Sequence, residues 1–316
     1  MHGMLLQFTK CHGSGNDFAL FNGWDLAWTD AQRATVARAL CDRGGPVGAD
    51  GILLLKQSPN FQFAMQIVNA DGSEPETCLN GLRCVARAGF ELLGVDAALV
   101  GLKTSSAEVA READLAAGVY TVRTTVGPAS LGPQAVGLRV DAPVIDARIP
   151  GLPSDRSFTA VAMPNPHLIA FVEAVDVGEL TAIGDWCEAR PDLLVDRANV
   201  SFVEQRGPDA LFVHTYERGV GLTNACGSAM AAAAHAAGLT GRIDFGTDIT
   251  IANPGGRVRG RAQGPAGGDR VTIAGNATFE WNASIEIDPD TGETGALTVT
   301  RRRDDEIAAW DAVARG

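Results

Sequence analysis

The chain has 316 residues, of which 46% are hydrophobic and 20% charged, and its formal net charge is −12. This composition is typical of a globular protein that can form one large domain or two of medium size. The acidic charge disfavours binding to nucleic acids or to an anionic membrane, since both attract basic surfaces. Residues 1–20 hold no continuous apolar stretch, so we expect no signal peptide and a cytoplasmic location.

Hydrophobic patterning predicts many short strands and one central helix in each half of the chain. In the first half, helices are predicted at 30–43, capped by Thr29 or Asp30, and at 80–93, ending near Gly94. The predicted strands there are 5–10, 18–23, 51–55, 61–69, 98–103, 107–112 and 117–125. The Pro/Gly-rich segment 125–133 is the expected crossing to the second half.

The second half repeats this order, with helices predicted at 179–189 and at the alanine-rich segment 227–237. Its predicted strands are 137–141, 158–163, 168–173, 199–204, 210–216, 248–253, 257–263, 270–275 and 279–287. After these, 288–316 is expected to add a turn, a short strand and a terminal helix that begins in an arginine triplet. The strands follow one another too directly for a regular βαβ sheet, so the pattern predicts an α+β fold.

Pairs of residues recur at a constant offset of 148 or 149 positions. In chain order the pairs are Asn16 and Asn165, Gly51 and Asn199, Asn69 and Glu217, and Cys78 and Cys226. Such a series indicates a duplicated unit, and hence two domains of similar fold. If the halves face each other, the two thiols would meet across one cleft. Opposed thiols suit a reaction that removes a proton from one face of a carbon and returns one to the other.

Both cysteines lie at the start of a predicted helix, where a thiol is more readily ionised. A helix N-terminus stabilises a thiolate, because its free amides and its dipole favour an anion. The amides of the next residues could also hold a substrate carboxylate; these are Leu79, Asn80, Gly227 and Ser228. The remaining cysteines form no CxxC pair and no zinc pattern, so we expect reduced structural thiols and no metal; they are Cys11, Cys41, Cys84 and Cys187.

Polar residues near the second cysteine could bind a zwitterion. Arg218 suits a carboxylate and Glu217 an ammonium or a proton, while His167 could serve as proton partner of a thiolate. The repeat-related asparagines could add neutral contacts, although any one of them alone is more often a turn residue. The chain has only three lysines and neither a GxGxxG nor a Walker A motif, so we expect no cofactor.

Six segments of the chain resemble the signature blocks of the diaminopimelate epimerase family. They are CHGSGNDF, DRGGPVGADG, VNADGSEPETCLNGLRC, MPNPH, ANVSF and YERGVGLTNACGS, in family order within residues 6–287. The resemblance implies two pseudo-symmetric domains, each a β-barrel-like sheet wrapped around a central helix. It also implies cofactor-free interconversion of LL- and meso-diaminopimelate, a step toward lysine and peptidoglycan precursors.

The resemblance assigns domains and roles to this chain. It implies a first half at 1–127 completed by a return strand at 278–287, a second half at 128–277, and an appendage at 288–316. Cys78 and Cys226 would be the acid/base pair, assisted by His167 and Glu217. The substrate, a small amino acid, would be bound by the four helix-start residues and by Asn16, Asn69, Asn165, Asn199, Glu217 and Arg218. A homodimer is left open.

The first half departs from the family pattern at two substrate-facing positions. Gly51 stands where the family usually has Gln, and Leu79 where it usually has Gly; Pro164 also replaces a usual Gly. If only a contact was lost, Gly51→Gln should preserve or improve turnover. Three alternatives therefore stay open: a related racemase of another amino acid, a non-catalytic amino-acid-binding relative, and a redox protein that uses a Cys78–Cys226 disulfide.

Overall fold

The computed structural model describes residues 3–75 and 78–314. The chain divides into two compact units. Unit 1 contains the residues up to Thr124 and those from Gly275 onward, and unit 2 contains Thr125–Ala274. Within the described ranges, no helix is long and apolar enough to cross a membrane.

The secondary structure consists of many strands and few helices. The strands are β1 (Met4–Gly13), β2 (Asn16–Asn22), β3 (Gly51–Lys56), β4 (Phe63–Asn69), β5 (Ala97–Gly101), β6 (Ser106–Glu112), β7 (Thr121–Val126), β8 (Thr159–Ala162), β9 (Pro166–Val172), β10 (Asn199–Gly207), β11 (Ala210–Glu217), β12 (Gly221–Thr223), β13 (Ile249–Asn253), β14 (Gly256–Ala262), β15 (Val271–Asn276), β16 (Thr278–Ile287) and β17 (Thr294–Arg302). The helices are α1 (Asp30–Cys41), α2 (Leu79–Leu93), α3 (Pro133–Val136), α4 (Val177–Glu188), α5 (Gly227–Leu239) and α6 (Asp304–Ala314).

The sheet of unit 1 surrounds α2. Strand β2 is antiparallel to β1 and parallel to β3, with Phe18 opposite Gly51. Strand β4 returns antiparallel to β3, with Asn69 opposite Gly51, and then runs parallel to β5. Strands β5, β6 and β7 form an antiparallel meander. The central helix α2 packs against β1 to β6, and its side chains Leu82 and Val85 are fully buried.

Unit 2 has the same pairing pattern. Strand β9 is antiparallel to β8 and parallel to β10, with His167 opposite Asn199. Strand β11 returns antiparallel to β10 and runs parallel to β13, which leads into the β13–β14–β15 meander. Helix α5 takes the place of α2. The offset read from the sequence thus holds at the level of strand register, and the predicted α+β fold with two pseudo-symmetric units is confirmed.

Local sequence signals explain the helix ends. Thr29 caps α1 in a capping box with Gln32, and Gly94 ends α2 in the left-handed conformation at φ 67°. Helix α5 is buried over most of its length, because a run of alanines lets strands approach a helix from every side.

Some predicted elements differ from the observed ones. The strand predicted at 137–141 is wrong: α3 ends at Gly137, which has φ 73°, and only Leu138 forms an isolated bridge, to Leu194. The short strand β12 was not predicted. The terminal helix begins at Asp304 rather than within the arginine triplet, because Arg301 and Arg302 still pair with β16 as part of β17.

Candidate active site

The strand order of unit 1 gathers three of the repeat-related positions at one edge of its sheet. Strands β2 and β3 are parallel and both begin there, at Asn16 and Gly51, while the antiparallel β4 ends there, at Asn69. Helix α2 also starts at a cysteine, Cys78, and the side chain of Cys78 contacts that of Asn16. This edge therefore brings the first cysteine together with the polar residues that the repeat had singled out.

Cys78 is the N-cap residue of α2, in an extended backbone conformation (φ −146°, ψ 107°). Its Sγ accepts a hydrogen bond from the backbone N–H of Gly81 at 3.5 Å and donates to Oδ1 of Asn16 at 3.5 Å. The thiol is partly buried. A sulfur in the N-cap position faces the free amides of the first helical turn, which favour negative charge.

Asn16 links Cys78 to a cluster of charged side chains. Its Nδ2 donates to Oδ2 of Asp50 at 2.7 Å, and the backbone N–H of Asp17 donates to the same oxygen at 3.1 Å. Arg43 pairs with both carboxylates, at 2.6 Å from each. Although burial alone would raise it, hydrogen bonds from Arg43 and from Lys10 lower the pKa of Asp17 to about 2.

A second polar chain runs beneath the start of α2. Asn80 Nδ2 donates to Oδ1 of Asn16 at 3.4 Å, and the guanidinium of Arg83 donates to Oδ1 of Asn80 at 2.9 Å. Arg83 also donates to Oγ of Ser14 and to the backbone oxygen of Asn276, both at 3.0 Å. Arg83 is fully buried, and burial lowers its pKa from 12.5 to about 10.

The equivalent edge of unit 2 gathers the second set of predicted residues. Asn165 precedes β9, Asn199 begins β10 and Glu217 ends β11. His167 is fully buried between them: its Nε2 lies 3.0 Å from Oδ1 of Asn165 and 3.5 Å from Nδ2 of Asn199. Burial lowers the pKa of His167 to about 3, so the ring is neutral at physiological pH.

Cys226 is the residue before α5, and its thiol is buried. Its Sγ lies 3.4 Å from Oγ of Ser228. Burial raises the pKa of Glu217, an effect opposed by a hydrogen bond with Cys226 and by the charge of Arg218. A thiol beside a carboxyl group of raised pKa is an arrangement in which a proton can move between the two groups.

Arg218 lies at the end of β11, beside Asn199. Its backbone N–H donates to Oδ1 of Asn199 at 2.9 Å, and its guanidinium is 3.7 Å from Oδ2 of Asp196. The guanidinium is 28% exposed and only loosely paired, so it retains donors that could bind a carboxylate.

The two departures from the family pattern have different structural settings. The side chain of Leu79 is buried in the first turn of α2. A Cβ built on Gly51 would lie 2.7 Å from the backbone oxygen of Val68 on the neighbouring strand, closer than such atoms approach. A side chain at 51 therefore requires β3 or β4 to shift, and the effect of Gly51→Gln on turnover stays a prediction.

The remaining cysteines are buried free thiols, namely Cys11, Cys41, Cys84 and Cys187. Burial raises the pKa of Cys41 and of Cys187 to about 12 and raises that of Cys11 well above its usual range. With raised pKa values, Cys11, Cys41 and Cys187 are poor nucleophiles and bases at neutral pH.

Sequence reasoning did not find the charged residues behind Asn16 and Asn80. Asp50 lies on the loop before β3 and accepts from Asn16, Arg43 pairs with Asp50, and Arg83 is a fully buried charge on α2. The position of Arg83, five residues after Cys78 among apolar neighbours, was the one signal available in the sequence.

Comparison with known proteins fits this geometry. The family model described as diaminopimelate epimerase matches residues 8–131 and 159–277. The chain belongs to the diaminopimelate epimerase family. A diaminopimelate epimerase of Lactiplantibacillus plantarum is 37% identical over 328 residues, covering 98% of each chain. One of Clostridium acetobutylicum is 36% identical, covering 90% of this chain and 86% of its own.

Solved structures share the fold at much lower identity. A hydroxyproline epimerase of Agrobacterium vitis, with bound trans-4-hydroxy-L-proline, aligns at TM-score 0.59 and 14% identity over 99% of this chain and 98% of its own. A phenazine biosynthesis protein of the PhzF family from Bacillus anthracis aligns at TM-score 0.64 and 12% identity, over 89% and 99%. These similarities show that the fold of this chain is shared with solved structures.

Proposed function

We propose that this protein interconverts LL- and meso-diaminopimelate without a cofactor, using Cys78 and Cys226 as the two acid/base groups. One observation carries the assignment of these residues: each thiol precedes a buried helix at the equivalent position of its unit, 148 residues apart. Membership of the diaminopimelate epimerase family supports the reaction. The product would serve the synthesis of lysine and of peptidoglycan precursors.

In the proposed reaction one cysteine thiolate takes the α-proton from one face of the substrate carbon. The other cysteine, as a thiol, donates a proton to the opposite face, which inverts the centre; the roles exchange in the reverse direction. The transient carbanion carries extra charge on the α-carboxylate. Backbone amides at the two helix starts would stabilise that charge; they belong to Leu79, Asn80, Gly227 and Ser228.

The surroundings of Cys226 support a role for Glu217 in proton transfer. Burial raises the pKa of Glu217, which lies in hydrogen-bond contact with Cys226, so the carboxyl group could take up the thiol proton as the thiolate forms. His167 would act as a neutral hydrogen-bonding group rather than as a cation, because its pKa is lowered to about 3. It would orient Asn165, its partner at 3.0 Å.

The remaining predicted residues would hold the ends of the substrate. Arg218 offers a partly exposed guanidinium, which suits the carboxylate distal to the reacting carbon. The repeat-related asparagines offer neutral polar contacts to the amino and carboxylate groups; they are Asn16, Asn69, Asn165 and Asn199. A cytoplasmic location and a homodimer stay predictions from the sequence.

The test is α-proton exchange in D2O under reductant, followed by NMR, with LL-diaminopimelate beside a panel of other L-amino acids. We expect deuterium uptake and formation of the meso isomer with diaminopimelate alone. Exchange with a different amino acid instead would keep the two-thiol chemistry and change the substrate. Absence of exchange with every compound in the panel, in folded and reduced protein, would contradict a catalytic role.

A further inference from the structure

Two side-chain amides in unit 1 form a chain between a fixed cation and a fixed anion. Arg83 donates to Oδ1 of Asn80, Asn80 Nδ2 donates to Oδ1 of Asn16, and Asn16 Nδ2 donates to Oδ2 of Asp50. The three donor–acceptor distances are 2.9, 3.4 and 2.7 Å. All three hydrogen bonds therefore run in the same direction, from Arg83 to Asp50.

The ends of this chain determine the orientation of both amides. A guanidinium can only donate, so the oxygen of Asn80 must face Arg83, and an ionised carboxylate can only accept, so the NH2 group of Asn16 must face Asp50. Turning Asn16 over would set its oxygen against the Asp50 carboxylate, and turning Asn80 over would set its NH2 group against Arg83. Either flip leaves a donor or an acceptor without a match.

The orientation of Asn16 decides what the first thiol meets. With its NH2 group held by Asp50, Asn16 presents Oδ1 to Cys78, and the thiol donates to that oxygen at 3.5 Å. A carbonyl oxygen can accept a hydrogen bond from a thiol but cannot donate one to a thiolate. An amide NH2 group can donate to a thiolate and so would stabilise the charged form. The helix amides act in the opposite sense, through the N–H of Gly81.

We propose that Asp50 and Arg83 are positioning residues, which turn the carbonyl oxygen of Asn16 toward Cys78 and so keep the proton on that thiol in the resting enzyme. Cys78 is then the proton donor of the first turnover. Asp50 is itself held by Arg43 at 2.6 Å, and Arg83 by Asn276 and Ser14 at 3.0 Å. This inference rests on the proposed acid/base role of Cys78.

The experiment reads the thiol itself and not turnover, so its failure is distinguishable from failure of the proposed function. The rate of iodoacetamide alkylation of Cys78 is measured from pH 6 to 10 by peptide mass spectrometry, with Cys226 of the same molecule as internal reference. Because only the thiolate reacts, the profile gives the apparent pKa separately from the limiting rate at high pH. A change of access alone alters the limiting rate.

In Asp50→Asn the new amide can donate, which removes the stronger of the two constraints on Asn16. Its NH2 group can then turn to Cys78 by giving up only the 3.4 Å contact with Asn80. We expect about ten-fold faster alkylation of Cys78 at pH 7, of the size that one hydrogen bond to a charged group gives, with Cys226 unchanged. Asp50→Glu keeps a carboxylate and should restore the slow rate. Loss of the Asp50 charge by itself would also favour a thiolate, but that effect is screened in 1 M salt, where we expect the acceleration to persist.

Arg43→Met is the control for loosening of the loop. It removes the ion pair with Asp50 and Asp17 but leaves the Asp50 carboxylate as acceptor, so Cys78 should still react slowly. Equal acceleration in Arg43→Met and Asp50→Asn would overturn the proposal, as would acceleration that vanishes in high salt. An unchanged Cys78 profile in Asp50→Asn would overturn it too.

Two further variants complete the controls. Arg83→Lys keeps a buried donor, so its Cys78 profile should resemble that of the wild type. Asp30→Asn makes the same change of charge at an exposed site and should leave the Cys78 profile unchanged.

Discussion

Arg87 of α2 forms a two-pronged ion pair with Glu306 of α6, at 2.5 and 2.9 Å. Arg87 is only 5% exposed and also donates to the backbone oxygen of Ala277 at 2.8 Å. The helix that begins at Cys78 is thereby fixed to the last helix of the chain. Strand β17 and helix α6, which lie in the segment expected to be an appendage, are thus packed against the rest of unit 1, since β17 pairs with β16 and Trp310 of α6 is buried.

The first prediction concerns this ion pair. Glu306→Gln should lower the free energy of unfolding by about 2–3 kcal/mol, near the lower end for a buried charge that loses its partner. The matched control is Glu91→Gln, which removes the other partner of Arg87, a carboxylate that is 45% exposed; it should cost less than about 1 kcal/mol. Urea unfolding followed by circular dichroism measures both, and equal losses would contradict the anchoring role.

The second prediction concerns the two thiols. Cys78→Ala and Cys226→Ala should each lower the rate of LL-to-meso conversion by a factor of about 10²–10⁴, the usual contribution of a positioned acid or base. Cys187→Ala removes a fully buried thiol that lies on α4, and it should keep turnover near the wild-type rate. Substantial turnover in either of the first two variants, once contamination by host enzyme is excluded, would reject the two-base mechanism.

The third prediction concerns acid stability. Burial lowers the pKa of His167 to about 3 and that of His12 to about 4, below the ordinary value of about 6.5 in an unfolded chain. The unfolded state therefore binds protons first, so stability is full above pH 6.5 and falls as the pH drops toward 4. Between pH 7.5 and 5.5 each of these histidines should cost about 1.4 kcal/mol.

The test compares urea unfolding of His167→Gln and wild type at both pH values. The difference between the two pH values should shrink by about 1.4 kcal/mol in the variant, whatever the variant's overall stability. Ser201→Ala, which removes a buried hydroxyl group that does not titrate in this range, should be destabilised by the same amount at both. A pH difference in His167→Gln as large as in wild type would show that His167 is already protonated in the folded state.

The fourth prediction concerns Gly51. Both Gly51→Ala and Gly51→Gln should lower stability by about 1–3 kcal/mol, the usual cost of overpacking, because a Cβ at 51 would lie 2.7 Å from the Val68 oxygen. Gly132→Ala is a suitable control, since its Cβ would meet nothing nearer than 3.6 Å. Thermal unfolding measures the stability of the three variants. A fully stable Gly51→Gln protein with improved turnover would contradict overpacking at this position and would indicate that Gly51 only lacks a substrate contact.

Much of the fold was predictable because its signals are local or repeated. Neighbouring residues determine the capped start of α1, the glycine end of α2 and the alternation of the strands. The constant offset then allowed the elements of the first half to be matched with those of the second. The strand expected at 137–141 failed because Gly137 closes α3 and turns the chain. Alternation alone does not distinguish a strand from an extended segment with a single bridge.

The site was predictable only in part, for a physical reason. Cysteines at helix starts and residues at repeat-related positions are visible in the sequence. The partners that orient them are not: Asp50 lies 34 positions from Asn16, and Asn276 lies 193 positions from Arg83. Such contacts depend on strand register and helix packing, which determine orientation after the elements have formed.

The division of the chain into units also bears on how the protein folds during synthesis. Unit 2 is continuous in sequence, whereas β1 of unit 1 needs β16, which follows all of unit 2. Domains emerge from the ribosome in chain order and generally fold as units. The half that is made first and carries Cys78 would therefore wait, with β1 paired to β2 but lacking its partner β16, until the half that carries Cys226 is already complete. Nascent chains stalled before and after residue 287 should differ in protease resistance of unit 1 alone.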